Sequence, residues 1–274
     1  MRNRRATLAS ILGNAAVSLI GLVLFLNIQP IARAQSAVYA MTNTGVFGTL
    51  NLSSGAFTQL GTSGVAPAGM GGFGNSLFVA GYQIHTFYLV NPGNGSVTAI
   101  GNASITFYDL GATSSGLYAI GTDNNLYTIN AATGAATLVG PTGLGISGAT
   151  AGLSSNGAVL YLTVDSGPGS VLYSVNTTTG ATTAIGNTGL SRIDAMVYVN
   201  GLLYAAPHNG TLYTLNTSTG ASTFVANTGI VVWGMGIPSQ ANAQTPLRSR
   251  NVTPCRLVDT RNGGPIQGGT SQSF

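Results

Sequence analysis

Residues 117–140 read LYAIGTDNNLYTINAATGAATLVG, and variants of this phrase occur five times along the chain. Each copy has two aromatic-rich strands, a turn and a third strand. The turn follows the pattern N-x-x-x-G, in which the Asn side chain bonds the backbone two residues on and Gly accepts the positive φ that ends the turn. The pattern predicts a hairpin in every copy, and the turn glycines are Gly55, Gly95, Gly134, Gly180 and Gly220.

These glycines are spaced by 40, 39, 46 and 40 residues. The segments between copies, such as residues 105–116 (ITFYDLGATSSG) and 192–201 (RIDAMVYVNG), are weakly alternating and rich in small residues. We expect each of them to supply a fourth strand. A period near 40 residues with four short strands is typical of a propeller blade. Small residues suit the innermost strand, where the blades converge.

The ends of the repeat region predict how the ring closes. The first copy begins at Ala37 with no inner strand ahead of it, whereas residues 230–237 (IVVWGMGI) follow the fifth copy with no partner after them. If this last strand joins the first blade, the two ends of the region meet and no open edge remains. The sequence therefore predicts an all-β, five-bladed β-propeller of four-stranded antiparallel blades over residues 36–238, closed by strand 230–237.

The repeat resembles that of secreted bacterial β-propellers of unknown function. Residues 117–143 (LYAIGTDNNLYTINAATGAATLVGPTG) carry the resemblance, with LY, then LYxIN-xxTG, then a short strand that ends in glycine. The resemblance implies the propeller fold and brings no catalytic residues with it. This chain differs from the family in having almost no charge on its strands.

The charges are few and unevenly placed. The chain has nine Lys and Arg residues and five Asp and Glu residues, and all of them are Arg or Asp. Four of the nine, Arg2, Arg4, Arg5 and Arg33, lie in the first 34 residues, so five Arg and five Asp remain and the net charge from Gln35 onward is zero. Because nucleic-acid binding needs clustered cations, this composition excludes nucleic acid as a partner of the main body.

Residues 1–34 have the three parts of a secretory signal peptide. A basic start (MRNRR) precedes an apolar stretch at 15–26, and Ala32-Arg33-Ala34 supplies the small residues of a cleavage site. We expect cleavage after Ala34, secretion or cell-surface location, and no membrane association after cleavage. The alternatives are an uncleaved anchor, because residues 6–32 carry no charge, and twin-arginine export through Arg4-Arg5.

The C-terminal part differs in composition from the repeats. Residues 239–251 are polar and read as a linker. Residues 252–274, which contain TPCRLVDTR, resemble the opening of a β-rich module of bacterial secreted and surface proteins. We expect a partial module, and the alternative is a short β extension. Cys255 is the single cysteine, so no intramolecular disulfide stabilises the chain.

Two aspartates are the candidate metal ligands. Asp109 and Asp194 each lie seven residues before the glycine that precedes the second strand, Gly116 and Gly201. This spacing predicts equivalent places on two inner strands, with both carboxylates facing the channel. Together with backbone carbonyls and Thr150 they would suit Ca²⁺, a hard cation that prefers oxygen ligands. In the alternative interpretation each Asp bonds backbone N–H groups and ties blades together. No other cofactor is predicted.

The remaining polar candidates have simpler explanations. Asp123 and Asp165 lie between the two aromatic strands, where Asp is an ordinary turn former. His85 and His208 fall in the corresponding loops of the second and fifth blades, so they either share a metal beside the first blade or are exposed loop residues. Neither lies in a catalytic motif, and the chain contains no Glu and no Lys.

Aromatic residues recur once per blade on each of two strands. Such an array would suit sugar stacking, but a position filled in every repeat is usually one that the fold requires, and we expect packing between blades. Trp233, the only tryptophan, is expected to cap the core. The two sets are Tyr39, Phe78, Tyr118, Tyr161 and Tyr204, and Tyr88, Tyr127, Tyr173 and Tyr213.

These features favour a secreted, non-catalytic propeller that serves as a binding or scaffolding module at the cell surface. Its partner would be a protein or a glycan, and outer strands without charged residues make self-association a further expectation. The first alternative is a lectin-like propeller with one weak carbohydrate site per blade. The second is a hydrolase or lyase with catalysis at the mouth of the channel.

Overall fold

The computed structural model describes residues 37–146, 151–165, 167 and 169–238. The predicted signal peptide (1–34), linker (239–251) and C-terminal module segment (252–274) lie outside these residues and stay predictions. The described residues form twenty strands and no helix. No helix that could cross a membrane is found among them.

The twenty strands make five antiparallel sheets of four strands, and this confirms the predicted fold. In chain order they are β1 Ala37–Thr42, β2 Val46–Asn51, β3 Phe57–Thr62, β4 Pro67–Phe73, β5 Ser76–Gly81, β6 Thr86–Val90, β7 Val97–Asn102, β8 Phe107–Thr113, β9 Gly116–Gly121, β10 Asn125–Ile129, β11 Ala136–Pro141, β12 Ala151–Ser155, β13 Leu160–Asp165, β14 Ser170–Val175, β15 Thr182–Asn187, β16 Ile193–Val199, β17 Leu202–Pro207, β18 Thr211–Leu215, β19 Ser222–Asn227 and β20 Val232–Gly236.

The first blade is completed by the last strand, as the sequence predicts. Strand β20 pairs antiparallel with β1, with Tyr39 opposite Gly236 and Ala40 opposite Met235. The other blades are β4–β7, β8–β11, β12–β15 and β16–β19. The five innermost strands, β20, β4, β8, β12 and β16, contact one another in a closed ring. Closure therefore pairs both edges of β1, and the edge strands of each blade are its innermost and its outermost strand.

The turns between the third and fourth strands follow the predicted chemistry. In the third blade the Asn130 Oδ1 atom accepts hydrogen bonds from the backbone nitrogens of Ala132 (2.9 Å) and Thr133 (3.2 Å). The backbone N–H of Gly134 donates to the Asn130 carbonyl at 2.8 Å, and Gly134 has a φ of +70°. The same turn glycine packs against Gly101 of the preceding blade, so the turn also sets the spacing between neighbouring blades.

The core lies between the blades. One cluster joins Tyr118 and Ile120 of β9 to Leu153 of β12 and Leu160 of β13, and these four side chains are buried. Phe78 and Tyr161 are buried at the corresponding places of two other blades. This confirms, at these positions, that the first aromatic set packs between blades. The second set is half-buried on the third strands.

Candidate ligand pocket at the mouth of the channel

Four of the five inner strands begin with a β-bulge. The pairing register with the neighbouring strand shifts between Pro67 and Gly69 in β4, between Phe107 and Asp109 in β8, and between Ile193 and Ala195 in β16. Strand β20 shifts at the same place against β1. The residue skipped by a bulge leaves the ladder, and its side chain is re-aimed. The four skipped residues are Ala68, Tyr108, Asp194 and Trp233.

These four side chains line one cavity of about 220 Å³. Neighbouring strands are antiparallel, so the first residue of an inner strand and the last residue of the second strand of its blade lie at the same end of the ring. In the second blade, for example, Pro67 at the start of β4 pairs with Gly81 at the end of β5. The loops after the second strands therefore reach the same cavity. We call it the mouth pocket, and its lining residues are Ala68, Tyr82, Gln83, Thr106, Phe107, Tyr108, Thr122, Asp194 and Trp233.

Aromatic rings form part of the wall of the mouth pocket. The rings of Tyr82 and Trp233 meet edge to face, with centroids 5.1 Å apart and an angle of 64° between their planes. The Nε1 atom of Trp233 is buried and has no hydrogen-bond partner among the described residues. The Tyr108 hydroxyl donates to the carbonyl oxygen of Ile146 at 3.3 Å, and burial raises the pKa of Tyr108.

Hydroxyl and amide groups form another part of the wall. The side-chain oxygens of Thr106 and Thr122 are 2.9 Å apart, and the Gln83 Nε2 atom donates to the Tyr82 hydroxyl at 3.2 Å. Gln83 is exposed and has a φ of +55°, a conformation that costs a non-glycine residue free energy. The mouth pocket thus offers neutral donors and acceptors beside apolar ring surface.

Asp194 is the charged residue of the mouth pocket lining, and it is paired. Its Oδ1 atom accepts a hydrogen bond from Arg192 Nε at 3.2 Å, and its Oδ2 atom lies 2.5 Å from His208 Nδ1. The side chain of Asp194 is only 3% exposed, whereas those of Arg192 and His208 are 39% and 37% exposed. Burial raises the pKa of Asp194, and His208 and Arg192 oppose that rise. The carboxylate is therefore a buried acceptor whose charge is balanced from outside the cavity.

Asp109 lies beside the mouth pocket and does not line it. It is 1% exposed. Its Oδ1 atom accepts from the backbone nitrogen of Leu110 at 2.8 Å, and its Oδ2 atom accepts from that of Leu153 in the next blade at 2.7 Å. The Met70 backbone N–H of the preceding blade also bonds the carboxyl group. Burial raises the pKa of Asp109 well above its ordinary value, against the effect of these bonds. Asp109 thus links the inner strands of three blades.

The predicted equivalence of Asp109 and Asp194 is wrong. Asp109 pairs with Ile120, so it stands one place further along its strand than Asp194, the skipped residue of β16. The structural equivalent of Asp194 in β8 is Tyr108. The prediction counted back from Gly116 and Gly201, and these two glycines are not equivalent. Gly116 is the first residue of β9 and pairs with Thr113, whereas Gly201 lies in the turn before β17.

Calcium binding by Asp109 and Asp194 stays a prediction, and the geometry does not favour it. Both oxygens of Asp109 already accept backbone hydrogen bonds, and Ca²⁺ needs six to eight oxygen ligands. Within the residues that the structure describes, no group of three or more His, Cys, Asp or Glu residues is placed to hold a metal ion. Thr150 lies outside the described residues.

The other candidate residues are scattered. His85 is exposed, His208 bonds Asp194, and neither histidine lines the mouth pocket. Asp123 accepts hydrogen bonds from Tyr127 at 2.6 Å and Asn125 at 2.7 Å. Burial tends to raise the pKa of Asp123, but these donors outweigh burial and lower it. Asp123 therefore serves the turn, as expected.

Sequence reasoning missed Tyr82 and Tyr108 as pocket residues. Counting back from the N-x-x-x-G turn would have found one of them, because Tyr108 and Asp194 each lie 22 residues before their turn asparagines, Asn130 and Asn216. The turn is the better reference point, since it is conformationally fixed in all five copies.

No protein-family model matches this chain, and no curated protein matches it. Among solved structures, a chain of a nidogen/laminin complex has a TM-score of 0.53 at 8% sequence identity, over 73% of this chain and 97% of that chain. A protein of unknown function from Bacteroides thetaiotaomicron VPI-5482 has a TM-score of 0.52 at 15% identity, over 69% of this chain and 55% of that one. These likenesses concern the fold alone. The fold and the site define a five-bladed β-propeller with a pocket at one end of its channel.

Proposed function

We propose that this chain is an exported, non-catalytic β-propeller that serves as a binding module at the cell surface, with the mouth pocket as its binding site. One observation carries the proposal. The four bulge positions hold four different residues, Ala68, Tyr108, Asp194 and Trp233, and these meet in one cavity, whereas the N-x-x-x-G turns and the aromatic strands repeat from blade to blade. A position that the fold requires holds similar residues in every repeat. These four differ completely, as residues that contact a ligand would.

The contacts of Asp194 and His208 support a binding role over a catalytic one. Asp194 orients the His208 ring in the way that a carboxylate orients a general base. Among the described residues, however, no serine or threonine hydroxyl bonds that ring. A hydrolase with a serine or threonine nucleophile is therefore not supported by this contact, and turnover of a probe ligand would be the result that favours a hydrolase or lyase.

The location at the cell surface follows from the signal-peptide pattern of residues 1–34 and from the resemblance to secreted propellers. From Gln35 onward the five Arg and five Asp residues balance. A surface without net charge favours neutral partners, because long-range attraction of ions needs an unbalanced field.

The proposal is tested by blocking the mouth pocket. Thr122 lines it and is exposed, so Thr122→Tyr fills the cavity without entering the core. The matched control is Thr137→Tyr, at an exposed position of the outer strand β11. In ligand-observed NMR with a library of fragments, the native chain and Thr137→Tyr should bind the same fragments and Thr122→Tyr should bind none of them. Equal binding by all three proteins would contradict the proposal.

A scaffolding role through self-association is the second candidate. The outer strands β3, β7, β11, β15 and β19 contain no charged residue, and Leu138 and Phe224 are 58% and 53% exposed on them. Uncharged edges that lack Lys are prone to pair with other chains. Sedimentation should show association that rises with concentration and weakens in Leu138→Lys. A monomer at every concentration would remove this candidate.

A further inference from the structure

We infer that the mouth pocket takes one neutral, polyhydroxylated ring, that is, a single sugar residue. This inference rests on the proposed function and narrows it to a ligand class. Free monosaccharides and the terminal residue of a glycan share this chemistry. The inference differs from a lectin with equivalent sites on all blades, because it places one site on the axis.

The size of the cavity limits the ligand to one ring. Pockets for drug-sized molecules measure about 300–1,000 Å³, and the mouth pocket measures about 220 Å³. A disaccharide would have to leave its second residue outside the cavity. A glycan would therefore present its end to the pocket.

The wall combines the two kinds of surface that a sugar ring needs. A pyranose has C–H groups on its faces and hydroxyl groups around its rim. Tyr82 and Trp233 offer apolar ring surface, while Thr106 and Thr122 offer hydroxyls that both donate and accept.

The charge balance at Asp194 selects a neutral ligand. An aromatic pocket with a free carboxylate would suit an ammonium ion. Here Arg192 and His208 occupy one acceptor site on Oδ1 and one on Oδ2, and the Arg192 guanidinium compensates the charge. Each carboxylate oxygen has a second lone pair, which accepts a ligand hydroxyl without needing a positive partner. Asp194 therefore acts as an oriented acceptor.

The experiment uses the secreted full chain and two readouts. Trp233 is the only tryptophan, so its fluorescence reports the mouth pocket directly, and saturation-transfer NMR reports the ligand. The probes are the methyl glycosides of glucose, galactose, mannose and N-acetylglucosamine, with tetramethylammonium and acetate as charged comparisons. At least one glycoside should bind, with an affinity that changes less than about twofold between 20 and 500 mM NaCl, because a neutral ligand is not screened by salt.

Variants separate the site from the rest of the surface. Tyr82→Ala removes ring surface from the wall and should weaken the glycoside at least tenfold. The control Tyr213→Ala removes a tyrosine that packs on Phe224 in the outer part of the fifth blade and should leave affinity unchanged. If a glycoside bound equally to both variants, its site would lie elsewhere and the inference would be wrong.

The remaining outcomes distinguish the two proposals. Binding of tetramethylammonium or acetate without any glycoside would overturn the sugar assignment and leave the binding module standing. Failure of the glycosides, the charged probes and the fragment library together would overturn both. A glycoside that binds through its terminal ring at the end of an oligosaccharide, but not as a free monosaccharide, would identify a glycan as the source.

Discussion

The carboxyl group of Asp109 occupies the space beside Gly69 that a Cβ atom would need. The two residues stand at matching places on neighbouring inner strands, β8 and β4, and a methyl group on Gly69 would overlap Asp109 Oδ1. The absence of a side chain in one blade thus makes room for the carboxylate that links three blades.

This relationship predicts the effect of Gly69→Ala. The added methyl meets both the carboxyl group and the Cα atom of Asp109, so we expect a loss of about 3 kcal/mol in the free energy of unfolding. Chemical denaturation measures it. Gly145→Ala is the control, because no atom of the described residues beyond its chain neighbours lies within 4 Å of its Cβ position, and it should cause no loss and gain up to about 1 kcal/mol. Equal losses in both variants would show that the fit between Gly69 and Asp109 is unimportant.

Asp109→Asn tests the carboxylate itself. An amide has one acceptor oxygen, so one of the two backbone N–H groups, from Leu110 or Leu153, would face an NH₂ group. We expect a loss of about 1–3 kcal/mol. Asp123→Asn, at a turn, is the control and should cost less than about 1 kcal/mol.

The raised pKa of Asp109 predicts that the stability difference between the native chain and Asp109→Asn depends on pH. Burial raises the pKa of Asp109 in the folded chain, so the folded state binds this proton more tightly than the unfolded state does. Asp109 therefore contributes stability below its unfolded pKa of about 3.9, and that contribution is lost as the pH rises through the folded pKa. The stability difference between the native chain and Asp109→Asn should shrink as the pH rises. A difference that is constant or grows with pH would contradict this expectation.

The conformation of Ser104 predicts that Ser104→Gly stabilises the fold. It has a φ of +61° at the place where Gly64, Gly143, Gly189 and Gly229 stand in the other repeats. Because a left-handed conformation costs a non-glycine residue about 1–2 kcal/mol, and glycine loses about 0.4–1 kcal/mol through its more flexible unfolded chain, Ser104→Gly should gain up to about 1 kcal/mol. Ala132→Gly, at a turn position without positive φ, should lose about 0.4–1 kcal/mol. Thermal unfolding compares the two, and a loss in Ser104→Gly would contradict the argument.

Ring closure is tested by shortening the chain. A chain that ends at Thr228 lacks β20 and exposes the inner edge of β1, whereas one that ends at Pro238 keeps the closing strand. An open edge invites pairing with other chains. The shorter chain should therefore aggregate and lose its cooperative unfolding transition, as measured by light scattering and thermal melting, and the longer one should behave as the intact propeller.

The fold was predictable from the sequence because its signals are local and repeated. The turn at Asn130 needs only one side chain and one glycine, and the offset of residues 230–237 implies closure by counting alone. The mouth pocket was not predictable in the same way. Its residues come from different blades, so that Tyr108 and Trp233, for example, are far apart in the sequence, and each bulge inserts one residue that the repeat period does not reveal. An assignment based on hairpin glycines therefore placed Asp194 one position out of register.

The bulges at Ala68, Tyr108, Asp194 and Trp233 separate ligand choice from folding. Each of these side chains stands outside the ladder, so exchanging one of them leaves the backbone pairing of its blade unchanged. Substitutions at these four positions can therefore change the lining of the mouth pocket while the β-propeller fold is kept. Recombining four positions on this frame would give a compact library of propellers from which new ligand specificities can be selected.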